Sequence, residues 1–258
     1  TPKLHIPVTE GYFEDKYFQP GPNQNPYPIW ETEKAKLGMP TCWDEWFPEV
    51  ARAYGLLGAD ILCYPTAIGS EPDHPDFDTE PLWRQTIVGH AIANGLFIVV
   101  PNRWGDEGRI NFYGSSFIVD PYGRILARAG REGDEVLVAE LDLDQRRDWL
   151  ELFPFFGTRR PDTYSVLTRE IINPRSESGE GVEHDTRSVM KSEALALLGR
   201  AATVRTANQP RHRLNPSGVM LPAHRAPAFA SCAAMAARMR VNIGPNVPST
   251  SGFRVCAK

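Results

Sequence analysis

The chain has 258 residues, with 28 Lys and Arg against 32 Asp and Glu, 41% hydrophobic and 10% aromatic content, the profile of a globular protein with one substantial core. No run of about 18 apolar residues and no basic-apolar leader is present, so a helical membrane span is excluded and a cytoplasmic location is expected. A formal net charge of -4 argues against nucleic acid as the main partner, and Cys42, Cys63, Cys232 and Cys256 lack the spacing of a zinc site or disulfide framework.

The chain opens with Thr1 rather than Met, and the expectation is that a segment precedes it. After Lys3-Leu4-His5-Ile6-Pro7 and an aromatic, Pro-rich loop over residues 12–28, residues 36–41 predict a short strand leading into Cys42-Trp43-Asp44-Glu45-Trp46-Phe47-Pro48. Pro48 is accepted in a first helical turn and Gly58 supplies a left-handed stop, so a helix is predicted between them. Residues 60–65 form an apolar run closed by proline, the pattern of a buried strand, with a loop over residues 66–77 at its end. Thr79 is the expected N-cap of a helix that carries Leu82, Trp83, Ile87 and Ala91 at helical spacing and stops at Gly95. A strand over residues 96–100 follows, then strand text at 114–119, a type I turn at Asp120-Pro121-Tyr122-Gly123, and strands at 124–127 and 135–141. Helix-strand units thus give way to antiparallel hairpins, which implies a layered α/β sandwich rather than a barrel.

A compositional break divides the chain. Every Trp and Tyr lies at or before Tyr164, and no Asp or Glu follows Glu193. Residues 1–170 read as the folded domain and residues 171–258 as a low-complexity, disordered tail, because such text buries too little apolar surface to offset chain entropy. An Arg-rich arm for an acidic partner is the alternative.

Chemistry concentrates at Cys42. A cysteine between a buried strand and a helix start is favoured as a nucleophile, since the helix N-terminus stabilises a thiolate and the next backbone N–H can face an oxyanion. Cys63, inside an apolar strand, reads as packing. Trp46 and Phe47 line a pocket or join the core, Glu45 and Glu49 read as exposed early-helix acids, and His5 and His90 as hydrogen-bonded structural groups. Ser115 and Ser116 form no G-x-S-x-G elbow.

The words Lys3-Leu4-His5-Ile6-Pro7, Glu14-Asp15-Lys16-Tyr17-Phe18-Gln19-Pro20-Gly21 and Cys42-Trp43-Asp44-Glu45-Trp46-Phe47-Pro48-Glu49 together resemble the nitrilase (carbon-nitrogen hydrolase) superfamily. With Tyr64-Pro65-Thr66-Ala67-Ile68-Gly69-Ser70-Glu71-Pro72, Asn102-Arg103, Phe112-Tyr113-Gly114-Ser115-Ser116 and Arg159-Arg160-Pro161-Asp162-Thr163-Tyr164, they are similar to the branch that contains N-carbamoylputrescine amidase. The resemblance spans residues 1–170. It implies a four-layer α-β-β-α sandwich, incomplete at the N-terminus, and a Glu-Lys-Cys triad that uses no metal or organic cofactor. By position Cys42 is then the nucleophile, Lys3 the oxyanion-holding lysine, Glu14 an accessory carboxylate and the Trp43 N–H a second oxyanion donor.

The implied reaction is hydrolysis of a ureido or amide C–N bond, as in N-carbamoylputrescine to putrescine, carbon dioxide and ammonia. Glu71 and Asp73 are candidates to meet a cationic amine tail, and Asn102 and Arg103 are further candidate substrate contacts. An N-carbamoyl-β-amino acid, whose carboxylate would call on Arg103, is the alternative substrate. The resemblance also implies a homo-oligomer through the superfamily's dimer surface. It puts the general-base glutamate upstream of the lysine, so the chain as given is expected to lack it, at stake being about 10²–10⁴ in rate. A noncatalytic remnant or interaction subunit is the reading from a different class.

Overall fold

Central strands whose residues are apolar at every position demand a sheet covered on both faces. The computed structural model of the chain describes residues 1–9, 11–169, 240–241 and 252–257. Its elements run as a short hairpin of β1 (Val8–Thr9) and β2 (Tyr12–Phe13), then β3 (Ile29–Glu31), β4 (Lys36–Gly38), α1 (Pro48–Leu56), β5 (Ile61–Cys63), α2 (Glu80–Asn94) and β6 (Phe97–Val100). There follow a second hairpin of β7 (Trp104–Asp106) and β8 (Asn111–Tyr113), then β9 (Phe117–Val119), β10 (Ile125–Arg128), β11 (Leu137–Asp142), α3 (Asp144–Leu152), β12 (Arg240–Val241) and β13 (Gly252–Ala257).

The main sheet has the order β10-β9-β6-β5-β4-β3. Pairing is parallel from β4 through β6 and antiparallel at both flanks. Alternation along the strands divides the core in two. Leu62, Tyr64, Ile98, Val100, Phe117 and Val119 join Val50, Tyr54, Trp83 and Ile87 of α1 and α2 in one buried cluster. Ile61, Cys63, Phe97, Val99 and Ile118 join Leu137, Ala139 and Leu141 of β11 in the other. Each fully buried Leu, Ile, Val or Phe of this kind is worth about 1.5–3 kcal/mol. The layers of this mixed α/β fold therefore follow one another as helix, sheet, sheet, in agreement with the sandwich expected.

Several expectations are refined. The strands predicted at 36–41, 60–65 and 96–100 exist but are shorter, and Pro40 falls beyond the end of β4, where no ladder N–H is required of it. Gly95 ends α2 in the left-handed conformation at φ 58°. Thr79 does not cap α2 with its side chain; its backbone is already helical, and Asp78 Oδ1 accepts from the Glu80 N–H at 3.2 Å instead. The two small hairpins, β3 and α3 carry too little periodic text to stand out, the strands having two or three residues each.

The chain divides into two units, Thr1–Arg159 with Phe229–Lys258, and Arg160–Ala228. Of the second, the described part is dominated by a 3₁₀ run, Pro161–Thr168, beside which Arg160 pairs with Asp162. Most of the stretch read as a disordered tail lies outside the described residues. Within that stretch, β13 pairs antiparallel with β11 from Leu137↔Ala257 to Asp142↔Gly252, and β12 pairs with β13, so these segments depart from the tail reading. Local alternation in Phe253-Arg254-Val255 is the sequence signal for it.

Candidate active site

Three pieces of chain meet around Cys42. The first is the N-terminal segment. The β1–β2 hairpin, paired Val8↔Phe13 and Thr9↔Tyr12, reverses the chain so that Glu14, opening a 3₁₀ turn, returns to Lys3 and forms an ion pair with its Nζ. The Lys3 carbonyl accepts from the Gly21 N–H at 2.7 Å and the Glu14 N–H donates to the Pro7 carbonyl at 3.2 Å, so both backbones are held as well as both side chains. An isolated surface pair would add little, but here both side chains are largely shielded from solvent.

The second piece is the turn after β4. Cys42–Trp46 is a 3₁₀ run, and α1 begins only at Pro48. The α1 N-terminus therefore does not begin at the thiol, which corrects the dipole expectation. Cys42 has φ 49°, a left-handed conformation that costs a residue with a Cβ about 1–2 kcal/mol and is accepted where surrounding bonds enforce it. Those bonds are visible: the Cys42 N–H donates to the Pro65 carbonyl at 3.0 Å, and the Thr41 N–H to Asp44 Oδ2 at 3.2 Å. The buried Cys42 Sγ lies 4.0 Å from the Ala67 carbonyl oxygen.

Asp44 joins these two pieces. Fully buried, it accepts from the Leu4 N–H at 3.2 Å, the His5 N–H at 2.9 Å and His5 Nδ1 at 2.8 Å. The lysine segment is thereby bolted to the cysteine turn through the residues next to Lys3. His5 also stacks on Phe47 with ring centroids 3.6 Å apart.

Glu45 faces the other way, and it is not the exposed acid expected of an early-helix position. It is fully buried, with Oε1 accepting from Trp83 Nε1 and Oε2 against Thr66 Oγ1, both at 2.8 Å. Burial pushes its carboxyl well above the ordinary range, and the nearby Cys42 adds to the effect. His90, which burial pushes down, donates from Nε2 to the Glu45 carbonyl at 3.1 Å. Glu49 is exposed as expected, while Trp46 and Phe47 pack, partly buried, against the α1/α2 core.

The third piece is the loop after β5. Gly69 donates to the Tyr12 hydroxyl at 3.2 Å, and a Cβ at Gly69 would stand 2.3 Å from the Asn111 carbonyl, so only glycine fits this close crossing. Tyr12, whose phenol is raised by burial, feels Glu71, Cys42 and Glu14 together. Lys3, Glu14, Cys42 and Glu71 thus share one neighbourhood, with Glu71 also raised by burial. Trp43 is half-buried beside Trp46, with ring centroids 6.3 Å apart. Asp73 is exposed.

Asn102 and Arg103 serve the scaffold. The Asn102 amide donates to the Ile68 and Gly114 carbonyls at 3.1 and 2.8 Å and accepts from the Ile68 N–H at 3.0 Å, which uses its polar atoms to hold the two loops together. Arg103 pairs with Glu107 and lies over the Phe112 ring at 4.6 Å. Sequence reasoning missed Tyr12 and the anchoring roles of Asp44, Glu45 and Thr66. For Asp44 a signal existed: Thr41-Cys42-Trp43-Asp44 has capping-box spacing, and the backbone half of that box forms.

The carbon-nitrogen hydrolase family profile matches residues 2–151. The chain belongs to the carbon-nitrogen hydrolase family. The chain is 46% identical over 173 residues to N-carbamoylputrescine amidase of Arabidopsis thaliana, covering 64% of this chain and 57% of that protein. It is 43% identical over 172 residues to citrullinase of Francisella tularensis, covering 65% of this chain and 59% of that protein. A carbon-nitrogen hydrolase structure from Helicobacter pylori G27 superposes with a TM-score of 0.59 at 39% identity, covering 66% of this chain and 61% of that one. The chain spans about three fifths of the length of the curated relatives it matches.

Proposed function

We propose that Cys42 is the nucleophile of a ureido hydrolase acting on N-carbamoylputrescine. The observation that carries the reading is the Asp44 junction, which ties the segment holding the Lys3–Glu14 pair to the Cys42 turn. The Cys42 thiolate attacks the ureido carbonyl carbon, and the Lys3 ammonium and the Trp43 N–H receive the oxyanion, each such donor being worth about 3–4 kcal/mol of barrier. Collapse expels the terminal nitrogen, which takes up a proton and leaves as ammonia, and Cys42 is left carrying a carbamoyl thioester. Water then releases the carbamate, which decomposes to the amine and carbon dioxide. Glu14 orients Lys3, and Glu71 meets the cationic amine end.

Arg103 supports the amine over a carboxylate substrate, because Glu107 already balances its charge. Citrulline shares the ureido group, and the citrullinase relative makes it the second substrate to assay. The test is ammonia release from N-carbamoylputrescine, citrulline and N-carbamoyl-β-alanine, measured on the chain as given and on a polypeptide extended at the N-terminus to the length of the relatives. Turnover of N-carbamoylputrescine that vanishes in C42A is expected, with the extended form faster by about 10²–10⁴ through general-base assistance. Preference for N-carbamoyl-β-alanine, or undiminished turnover by C42A, would overturn the reading.

A further inference from the structure

A proton count at Thr66 bears on the state of its neighbour. Thr66 Oγ1 lies 2.8 Å from the Tyr64 carbonyl and 2.8 Å from Glu45 Oε2, both buried contacts. A hydroxyl has one hydrogen to give, and a carbonyl can only accept. If Thr66 gives its hydrogen to Tyr64, the contact with Glu45 is a hydrogen bond only when Glu45 supplies the second one. The other oxygen, Oε1, faces the indole N–H of Trp83, which is a donor and nothing else, so it must accept.

We infer that Glu45 is held as a neutral carboxylic acid, its Oε2 proton running to Thr66 and on to the Tyr64 carbonyl, and that in this form it is a positioning residue for the Cys42 turn. The contrast with Asp44 supports the assignment: its oxygens face N–H donors from Leu4, His5 and Thr41, whereas Glu45 Oε2 faces a hydroxyl that is also within reach of a carbonyl. The surroundings of Glu45 agree. The titratable groups facing it are Cys42 on its own turn, Lys3 from the N-terminal segment, Tyr64 at the end of β5, Tyr113 of β8 and His90 of α2. Full burial and Cys42 oppose the anion and outweigh the Thr66 and Trp83 hydrogen bonds and Lys3, which favour it.

The consequence concerns the nucleophile. A carboxylate beside Cys42 would oppose formation of the thiolate; a neutral acid keeps both oxygens bonded and adds no negative charge. Glu45 therefore ties the cysteine turn to α2 and to the loop after β5 while adding no second carboxylate charge to that of Glu14, which already pairs with Lys3. The charge state stands on the hydrogen-bond geometry together with full burial, and the positioning role rests on Cys42 as the nucleophile proposed above.

Two measurements on the full chain test this. In a wild-type minus E45Q infrared difference spectrum at neutral pH, a protonated-carboxyl C=O band belonging to wild type is expected; its absence overturns the assignment, whatever Cys42 does. The pH profile of Cys42 alkylation by iodoacetamide gives the second readout, taken in a background lacking Cys232 and Cys256. E45Q should keep the wild-type profile, because an amide can donate to Thr66 and accept from Trp83 as the acid does. A fall of one unit in the apparent thiol pKa in E45Q would show that a carboxylate had been raising it, and would overturn the proposal. E45A, which loses both bonds, should react roughly tenfold more slowly, and E45Q should restore the rate. If E45A does not fold, the E45Q spectrum and profile still decide.

Discussion

Asp44 and Glu45 are adjacent, carry the same functional group and are equally buried, yet they anchor the Cys42 turn in opposite directions and to different kinds of partner. On the N-terminal side, Asp44 gathers N–H groups from a segment with little regular structure of its own. On the core side, Glu45 meets one indole N–H and a hydroxyl already bonded to a carbonyl. The difference teaches that two acids at equal depth can hold different segments, according to which donors each one reaches.

Substitutions can break that contrast in order of severity. D44A strands the Leu4, His5 and Thr41 donors and should cost about 3 kcal/mol in urea unfolding, with Leu4 and His5 amides losing hydrogen-exchange protection first. D44N keeps the shape but turns an amide NH₂ toward existing donors, so a smaller loss of about 2 kcal/mol is expected in the same assay. T66V preserves volume and removes the shared hydroxyl; about 1–2 kcal/mol should be lost, and T66S should regain most of it.

The smallest effect is the most diagnostic. Because the folded state raises the Glu45 pKa above its ordinary 4.5, the native protein binds this proton more tightly than the unfolded chain does. The stability it contributes is fully present below about pH 4.5 and declines as pH rises toward the folded value. E45Q has no proton to lose, so its unfolding free energy relative to wild type should match near pH 4 to within about 1 kcal/mol and improve steadily as pH rises. A difference independent of pH would contradict the raised pKa. Cys63 sharpens the comparison from the neighbouring strand: burial pushes its thiol up to about 12, so iodoacetamide should label Cys42 and leave Cys63 intact at pH 8.

Much of the fold was legible in the residues. The buried strands around Leu62 and Ile98 and the helix carrying Trp83 announce themselves by apolar runs and helical spacing, and Gly95 marks its stop. The cysteine turn was legible as a site because Cys42 stands between a strand and Pro48. Glu45 was misread because it sits on the turn before α1, where acids are usually solvated; only the approach of α2 from the far side buries it. Asn102 and Arg103 stand as candidate substrate contacts, and in the fold their side chains also engage protein groups. Tyr12 was passed over because a two-residue strand leaves no periodic trace.

Local chemistry along the chain determines the candidate nucleophile, the helix stops and the two-sided apolar strands, because each depends on residue type and near spacing, while the Lys3 and Glu14 roles come only from the resemblance to the family. Tertiary structure alone decided that Lys3 and Glu14 meet through a hairpin, that Asp44 joins them to Cys42, and that Glu45 lies between Thr66 and Trp83. Those facts depend on donors and acceptors far apart in sequence, and on which of them water can no longer reach.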